Sequence, residues 1–218
     1  MGTQYRWTSF GVRATLIAGA LSSMPLSALA ADVFYSGRAT GINGQSTITG
    51  TNQEVLVADV GMSCQGLPHD ETVASFSNPA PLKVSADNIK VHTLGKNSVA
   101  AADATMQNLN YSVPGLTITS SSIGAHARAT CDPASGTVTA TGHSDFQTLV
   151  INGQATTVSA NKRIDIPNVG RVVVDEHRHY SDEMKVNAIH ITLDNPSLPA
   201  SGEVYIGQVR AQTICNPP

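Results

Sequence analysis

The densest set of metal-competent side chains is the run Asp175-Glu176-His177-Arg178-His179. Residues two apart on a β-strand share a face, so the imidazoles of His177 and His179 would point the same way. Two imidazoles on one face suit a divalent metal ion, with a third ligand from Asp175 or from His190 on a nearby strand. A hydrolase using the same groups is a second chemical alternative. Against both stands a plainer reading. Residues 176–183 also carry Arg178, Tyr180, Ser181 and Asp182, the composition of an exposed charged hairpin end.

Three other constellations carry less chemistry. His92 and His126 occupy equivalent places in an internal repeat, where two stacked rings would form a pH-sensitive pair; both follow an inward apolar residue, so both are expected to face solvent. Gly142-His143-Ser144-Asp145 has part of a nucleophile elbow, but that motif needs a second glycine after the serine and a strand-turn-helix setting. Phe146 stands in the glycine's place and no helix follows. The sequence holds no calcium loop, phosphate-binding glycine loop or zinc cysteine pair. No cofactor is expected.

The elements that would position these groups are strands. Residues 82–115 and 116–153 read as two copies of one strand unit. Leu82, Val84, Ile89, Val91 and His92 are matched by Leu116, Ile118, Ile123, Ala125 and His126, and Met106, Leu109 and Tyr111 by Phe146, Leu149 and Ile151. The extra residues of the second copy fall around 129–136, where a loop insertion is tolerated. Apolar residues alternate along the chain and do not recur at helical spacing. Only 97–107 could form a short helical turn, and its alternation also reads as strand.

Turn chemistry divides the strands. Asn152-Gly153 between 146–151 and 155–159 is a hairpin signal, and Asn43-Gly44 between 35–40 and 46–49 is another. Pro167-Asn168-Val169-Gly170 turns 163–166 into 171–175, and 184–193 with 203–214 complete the set. Three segments change the parity of their apolar face, at 86–89, 118–123 and 186–189. Strict alternation forbids that without a bulge, bend or corner. Strands bending at similar points could cross between two sheets or turn the corners of a solenoid. The tight antiparallel hairpins favour an all-β antiparallel sandwich with duplicated strand units over a β-solenoid.

Arg6 and Arg13 precede an apolar run from Ala14 to Leu29, no carboxylate appears before Asp32, and Ala28-Leu29-Ala30 fits a small-x-small cleavage rule. Residues 1–30 are therefore expected to be a secretory signal peptide and 31–218 a single β-domain. A membrane span is the weaker reading, since Ser22, Ser23, Pro25 and Ser27 interrupt the run. No second such run follows, and no C-terminal anchor is expected after Cys215-Asn216-Pro217-Pro218. The 188 residues left can bury one core. They carry eleven basic and sixteen acidic side chains, a net charge of −5 that argues against nucleic-acid partners. Trp7 leaves with the leader, so the core must be Val, Ile, Leu and Ala. Export makes a disulfide expected among Cys64, Cys131 and Cys215. Cys131 ends a strand unit and Cys215 the last strand, which favours that pair and leaves Cys64 free in the 61–68 loop.

The ordered series Leu149-Val150-Ile151-Asn152-Gly153-Gln154, Ile166-Pro167-Asn168-Val169-Gly170, Val174-Asp175-Glu176 and Val186–Leu193, with 123–131 upstream and 203–215 at the end, resembles the bacterial choice-of-anchor P proteins over about 55–215. The resemblance implies an exported β-domain of undefined biochemical role, often tethered to the cell surface. It supplies no catalytic residue. The expectation is an exported, periplasmic or secreted, non-enzymatic structural or interaction domain with cell-envelope or extracellular partners.

Overall fold

Almost every segment between turns is extended, as alternation of Val, Ile, Ala and Thr with polar residues dictates. The computed structural model describes residues 33–62, 67–195 and 200–215. These form twelve strands: β1 (Val33–Ile48), β2 (Thr51–Met62), β3 (His69–Asn78), β4 (Lys83–Lys96), β5 (Val99–Val113), β6 (Leu116–Asp132), β7 (Thr137–Ile151), β8 (Gln154–Ala155), β9 (Lys162–Ile166), β10 (Gly170–His179), β11 (Glu183–Asn195) and β12 (Ala200–Cys215). The proposed leader, residues 1–30, and Cys64 lie outside the described residues.

The first sheet runs β2-β1-β12-β11-β10-β9 and the second β3-β4-β5-β6-β7-β8. All pairings are antiparallel. The chain is one meander folded in two. It leaves the first sheet after β2, builds the whole second sheet in order, and returns as β9–β12, where β12 pairs with β1. The two sheets stack as a sandwich, not a solenoid. β12 packs over β5 and β6, β1 over β4 and β5, and β11 over β6 and β7. Between them lies a core of Val, Ile, Leu and Ala with Met106 and Tyr111. Among the described residues no helix is long and apolar enough to cross a membrane.

Each half of the sequence repeat is one hairpin, β4–β5 and β6–β7, and the two are neighbours in the second sheet. The matched residues Leu82 and Leu116, Val84 and Ile118, Ile89 and Ile123, and Val91 and Ala125 are all buried. The parity changes have a single cause. In the first sheet the register leaves Gly41 beside Ala58 and Gly207, and Ala188 beside Gly207 and Asp175. Ala58, Gly207 and Asp175, on alternate strands, all have positive φ. The second sheet has a similar line at Asn88, Asn108, Ser121 and Thr148, with positive φ at Asn88, Asn108 and Thr148. One left-handed residue reverses the side-chain alternation of its strand, and its neighbours across the ladder follow. Each strand bends in place and stays in its own sheet; none crosses to the other. A left-handed β-branched residue is unfavourable, and the Thr148 hydroxyl offsets this by bonding the Gln147 carbonyl (2.6 Å) and the Ser121 hydroxyl (2.8 Å).

Two hairpin expectations need correction. Asn43-Gly44 is not a turn but lies mid-β1, held extended by ladders to β2 and β12. The turn is Thr49-Gly50, with φ of 51° and 77°, the sign pattern of a type I′ hairpin. Asn152-Gly153 is a turn (φ 48° and 77°), but its second arm is only Gln154–Ala155. The 97–107 segment is strand from Val99, and its turn is confined to Asn97-Ser98. Pro167–Gly170 joins β9 to β10 as expected.

Cys131 and Cys215 form a disulfide, with Cα atoms 5.5 Å apart. It ties the end of β6 in one sheet to the end of β12 in the other.

Candidate functional site

The outer face of the second sheet carries a row of alternating carboxylates and imidazoles. Cross-strand register places Asp70 of β3 beside His92 of β4, His92 beside Asp103 of β5, Asp103 beside His126 of β6, and His126 beside His143 of β7. Directly opposed side chains on one face are within contact distance. His92 Nδ1 lies 2.6 Å from Asp70 Oδ1, and His126 Nδ1 lies 2.7 Å from Asp103 Oδ1. A carboxylate only accepts, so both histidines donate from Nδ1. His92 and His126 do face outward; each rests on an aspartate, with Asp103 between them.

At the β6–β7 end the row becomes a cluster. The His126 and His143 rings stack with centroids 4.9 Å apart and planes 26° from parallel. Asp145 Oδ2 lies 3.5 Å from His126 Nε2 and 3.3 Å from His143 Nε2. His143 and Asp145 share a face because they are two apart on β7. The Asp103 hydrogen bond, against some desolvation and with help from the charges of Asp103 and Asp145, holds the His126 pKa above the ordinary imidazole value. Gly124, cross-strand neighbour of Asp145, leaves room for the His126 ring: a Cβ there would sit 2.8 Å from Nε2. A cleft of ≈ 260 Å³ runs past Asp103, His126, Arg128, Thr141 and His143.

The structure does not gather the sequence-predicted set Asp175, His177, His179 and His190. Asp175 is the left-handed residue of β10, so side chains before and after it point to different faces than alternation predicts. His177 Nε2 is 2.7 Å from Asp175 Oδ1. His179 Nε2 donates to the Ala140 carbonyl of β7 at 3.0 Å, across the sandwich. His190 lies on the outer face of the first sheet, where its Nδ1 donates to Glu176 Oε2 at 3.0 Å and its ring stacks on Tyr205 at 4.4 Å. The four groups are therefore spent on three separate sets of contacts: Asp175 with His177, His179 with the Ala140 carbonyl, and His190 with Glu176 and Tyr205. Ser144 fares likewise. Its hydroxyl is buried and points into the sandwich, away from His143 and Asp145, so the residues of Gly142-His143-Ser144-Asp145 cannot act together as nucleophile and base.

Glu176 organises the first sheet's outer face. Besides His190 it accepts from Asn187 Nδ2 at 2.5 Å and Arg178 at 3.0 Å, while Asn187 accepts from Gln208 at 3.0 Å. Its pKa falls to about 2, chiefly through the His190 hydrogen bond and then those of Asn187 and Arg178. Desolvation, with a bond to Glu203, pushes the Tyr205 phenol up to about 12. A carboxylate depressed in the folded state stabilises above its unfolded pKa, and that contribution is lost as pH falls toward its folded value. Glu176→Gln is therefore expected to be less stable than wild type at pH 7, with the gap closing between about pH 4.5 and pH 2. Urea unfolding at pH 7, 4 and 2.5 measures it; a gap that does not change with pH contradicts this account of Glu176.

No family model matches the chain, and no curated protein or solved structure is significantly similar to it.

Proposed function

We propose that this chain is an exported, non-enzymatic structural or interaction module of the cell envelope or extracellular space. The observation that carries the reading is the disulfide between Cys131 and Cys215. Such bonds persist in oxidising compartments and are rare where thioredoxin and glutathione keep thiols reduced. The basic-apolar-small pattern of residues 1–30 supports the same compartment, as does the resemblance to choice-of-anchor P proteins. The non-enzymatic half rests on placement. The Asp/His row of the second sheet and the Glu176–His190 network of the first stand on the outer faces of the two sheets, where side chains meet partners or ions. A small substrate is more often enclosed in a concave apolar site.

Expression of the full chain in a bacterial host tests the reading. Mass spectrometry of the envelope and medium fractions is expected to find a mature chain beginning at Ala31, with Cys131 and Cys215 joined. An uncleaved chain in the cytosol with free thiols would overturn it.

A further inference from the structure

We propose that His126, His143 and Asp145 bind one divalent transition-metal ion of the zinc class on the outer face of the second sheet, with Asp103 as the positioning residue for His126. Among the described residues this is the one group of three or more imidazole and carboxylate side chains whose donor atoms all lie within 4.8 Å of one another. Ligands about 2.0–2.1 Å from a tetrahedral ion lie roughly 3.3 Å apart. Two of the three edges already have that length: 3.3 Å from Asp145 Oδ2 to His143 Nε2, and 3.5 Å from the same oxygen to His126 Nε2. The third edge closes by rotation of His143, whose side chain is 62 % exposed and free to turn.

The surroundings are those of a ligand and not of a simple surface pair. His126 donates from Nδ1 to Asp103, which fixes the tautomer with the Nε2 lone pair turned toward Asp145. A carboxylate behind a histidine in this way orients the ring and raises its basicity as a ligand. Gly124 keeps the space beside Nε2 open. Two strands of one ladder hold all three ligands, a rigid base compared with a loop. Two imidazoles and one carboxylate select a borderline cation over calcium or magnesium, which prefer all-oxygen shells. Three protein ligands on an open face leave the fourth position to water, so the ion is exchangeable.

The test is isothermal titration of zinc into purified, untagged, chelator-stripped protein, with cobalt(II) absorption as the spectroscopic readout. Wild type is expected to take up one zinc per chain and to give the visible bands of tetrahedral cobalt. His143→Ala/Asp145→Ala is expected to lose both while melting as wild type does, because both side chains are largely exposed. Asp103→Asn is expected to bind one zinc about 10–100-fold more weakly, with the cobalt bands kept at saturation and the melting temperature unmoved. His177→Ala/His179→Ala is expected to bind as wild type. Zinc uptake that persists in His143→Ala/Asp145→Ala, uptake lost only in His177→Ala/His179→Ala, or no stoichiometric uptake by wild type would each overturn the proposal.

Discussion

Replacing Cys131 and Cys215 together by alanine is expected to lower the stability of the oxidised protein by about 2–4 kcal/mol. The two cysteines are 84 residues apart in sequence. Closing so long a loop removes much of the unfolded chain's freedom, and the gain rises with loop length. For a domain of this size each kcal/mol moves the melting temperature by roughly 2–4 °C, so a fall of about 5–15 °C is expected. The loss should be global. A C-terminal strand is prone to fray when it lies at an edge. In the structure β12 is central, hydrogen-bonded to β1 on one side and β11 on the other, with Thr213 also bonded to the Asp182 carbonyl. Urea unfolding followed by circular dichroism should show one shifted cooperative transition. A change below about 1 kcal/mol, or a separate early C-terminal transition, would contradict the argument.

The β-architecture is legible because period-two alternation survives nearly every strand. What fails to read are the edges and one dipeptide. β3, with the sequence HDETVASFSN, is largely exposed and carries few apolar residues, so it leaves almost no alternation to detect. It is an edge strand, and edge strands tolerate such composition. Asn43-Gly44 has the local chemistry of a turn, but Gly44 packs against Val204 and the strand has partners on both sides. Tertiary pairing overrides local preference there. The parity switches are visible in sequence; that they align into one bend per sheet is not, because alignment depends on register across strands far apart in the chain.

The Asp/His cluster was partly within reach of sequence reasoning. His143-x-Asp145 has the same strand spacing as His177-x-His179. Register follows from the turns. His126 and His143 each lie six residues from the pair Asp132–Thr137 that flanks the β6–β7 turn. Asp103 and His126 each lie ten from the Val113–Leu116 pair, and His92 and Asp103 each four from Lys96–Val99. Reading the turn at 133–136 as the centre of a hairpin, instead of as an insertion, would have put both histidines side by side. His177 and His179 keep their shared face, opposite the buried Val186 and Met184, but the left-handed Asp175, invisible in sequence, turns that face inward and away from His190. A spacing rule holds locally, and which face it selects depends on the regularity of the strand before it.

The bends also predict where the core is least forgiving. Ile89 and Ile123 are fully buried equivalents just past the bend in each hairpin, and each is expected to cost about 2–5 kcal/mol when cut to alanine. What separates them is the facing glycine. A Cβ on Gly41 of β1 would lie 2.4 Å from Ile89 Cγ2 and 3.0 Å from the Val57 carbonyl, whereas a Cβ on Gly207 of β12 would lie 3.9 Å from Ile123 Cγ2. Ile89 thus occupies space that Gly41 vacates, and Ile123 does not depend on Gly207 in that way. Gly41→Ala alone should destabilise by about 1–3 kcal/mol through overpacking. Combined with Ile89→Ala it should lose less than the sum, since the new methyl partly fills the cavity; a coupling of roughly 1 kcal/mol or more is expected. Gly207→Ala suffers instead from its φ of 61°, about 1 kcal/mol for a left-handed alanine. That loss should add to the loss from Ile123→Ala to within about 0.5 kcal/mol. Equilibrium unfolding of the six variants reads both cycles. Coupling in the Gly207 pair and additivity in the Gly41 pair would reverse the assignment of which glycine the core is built around.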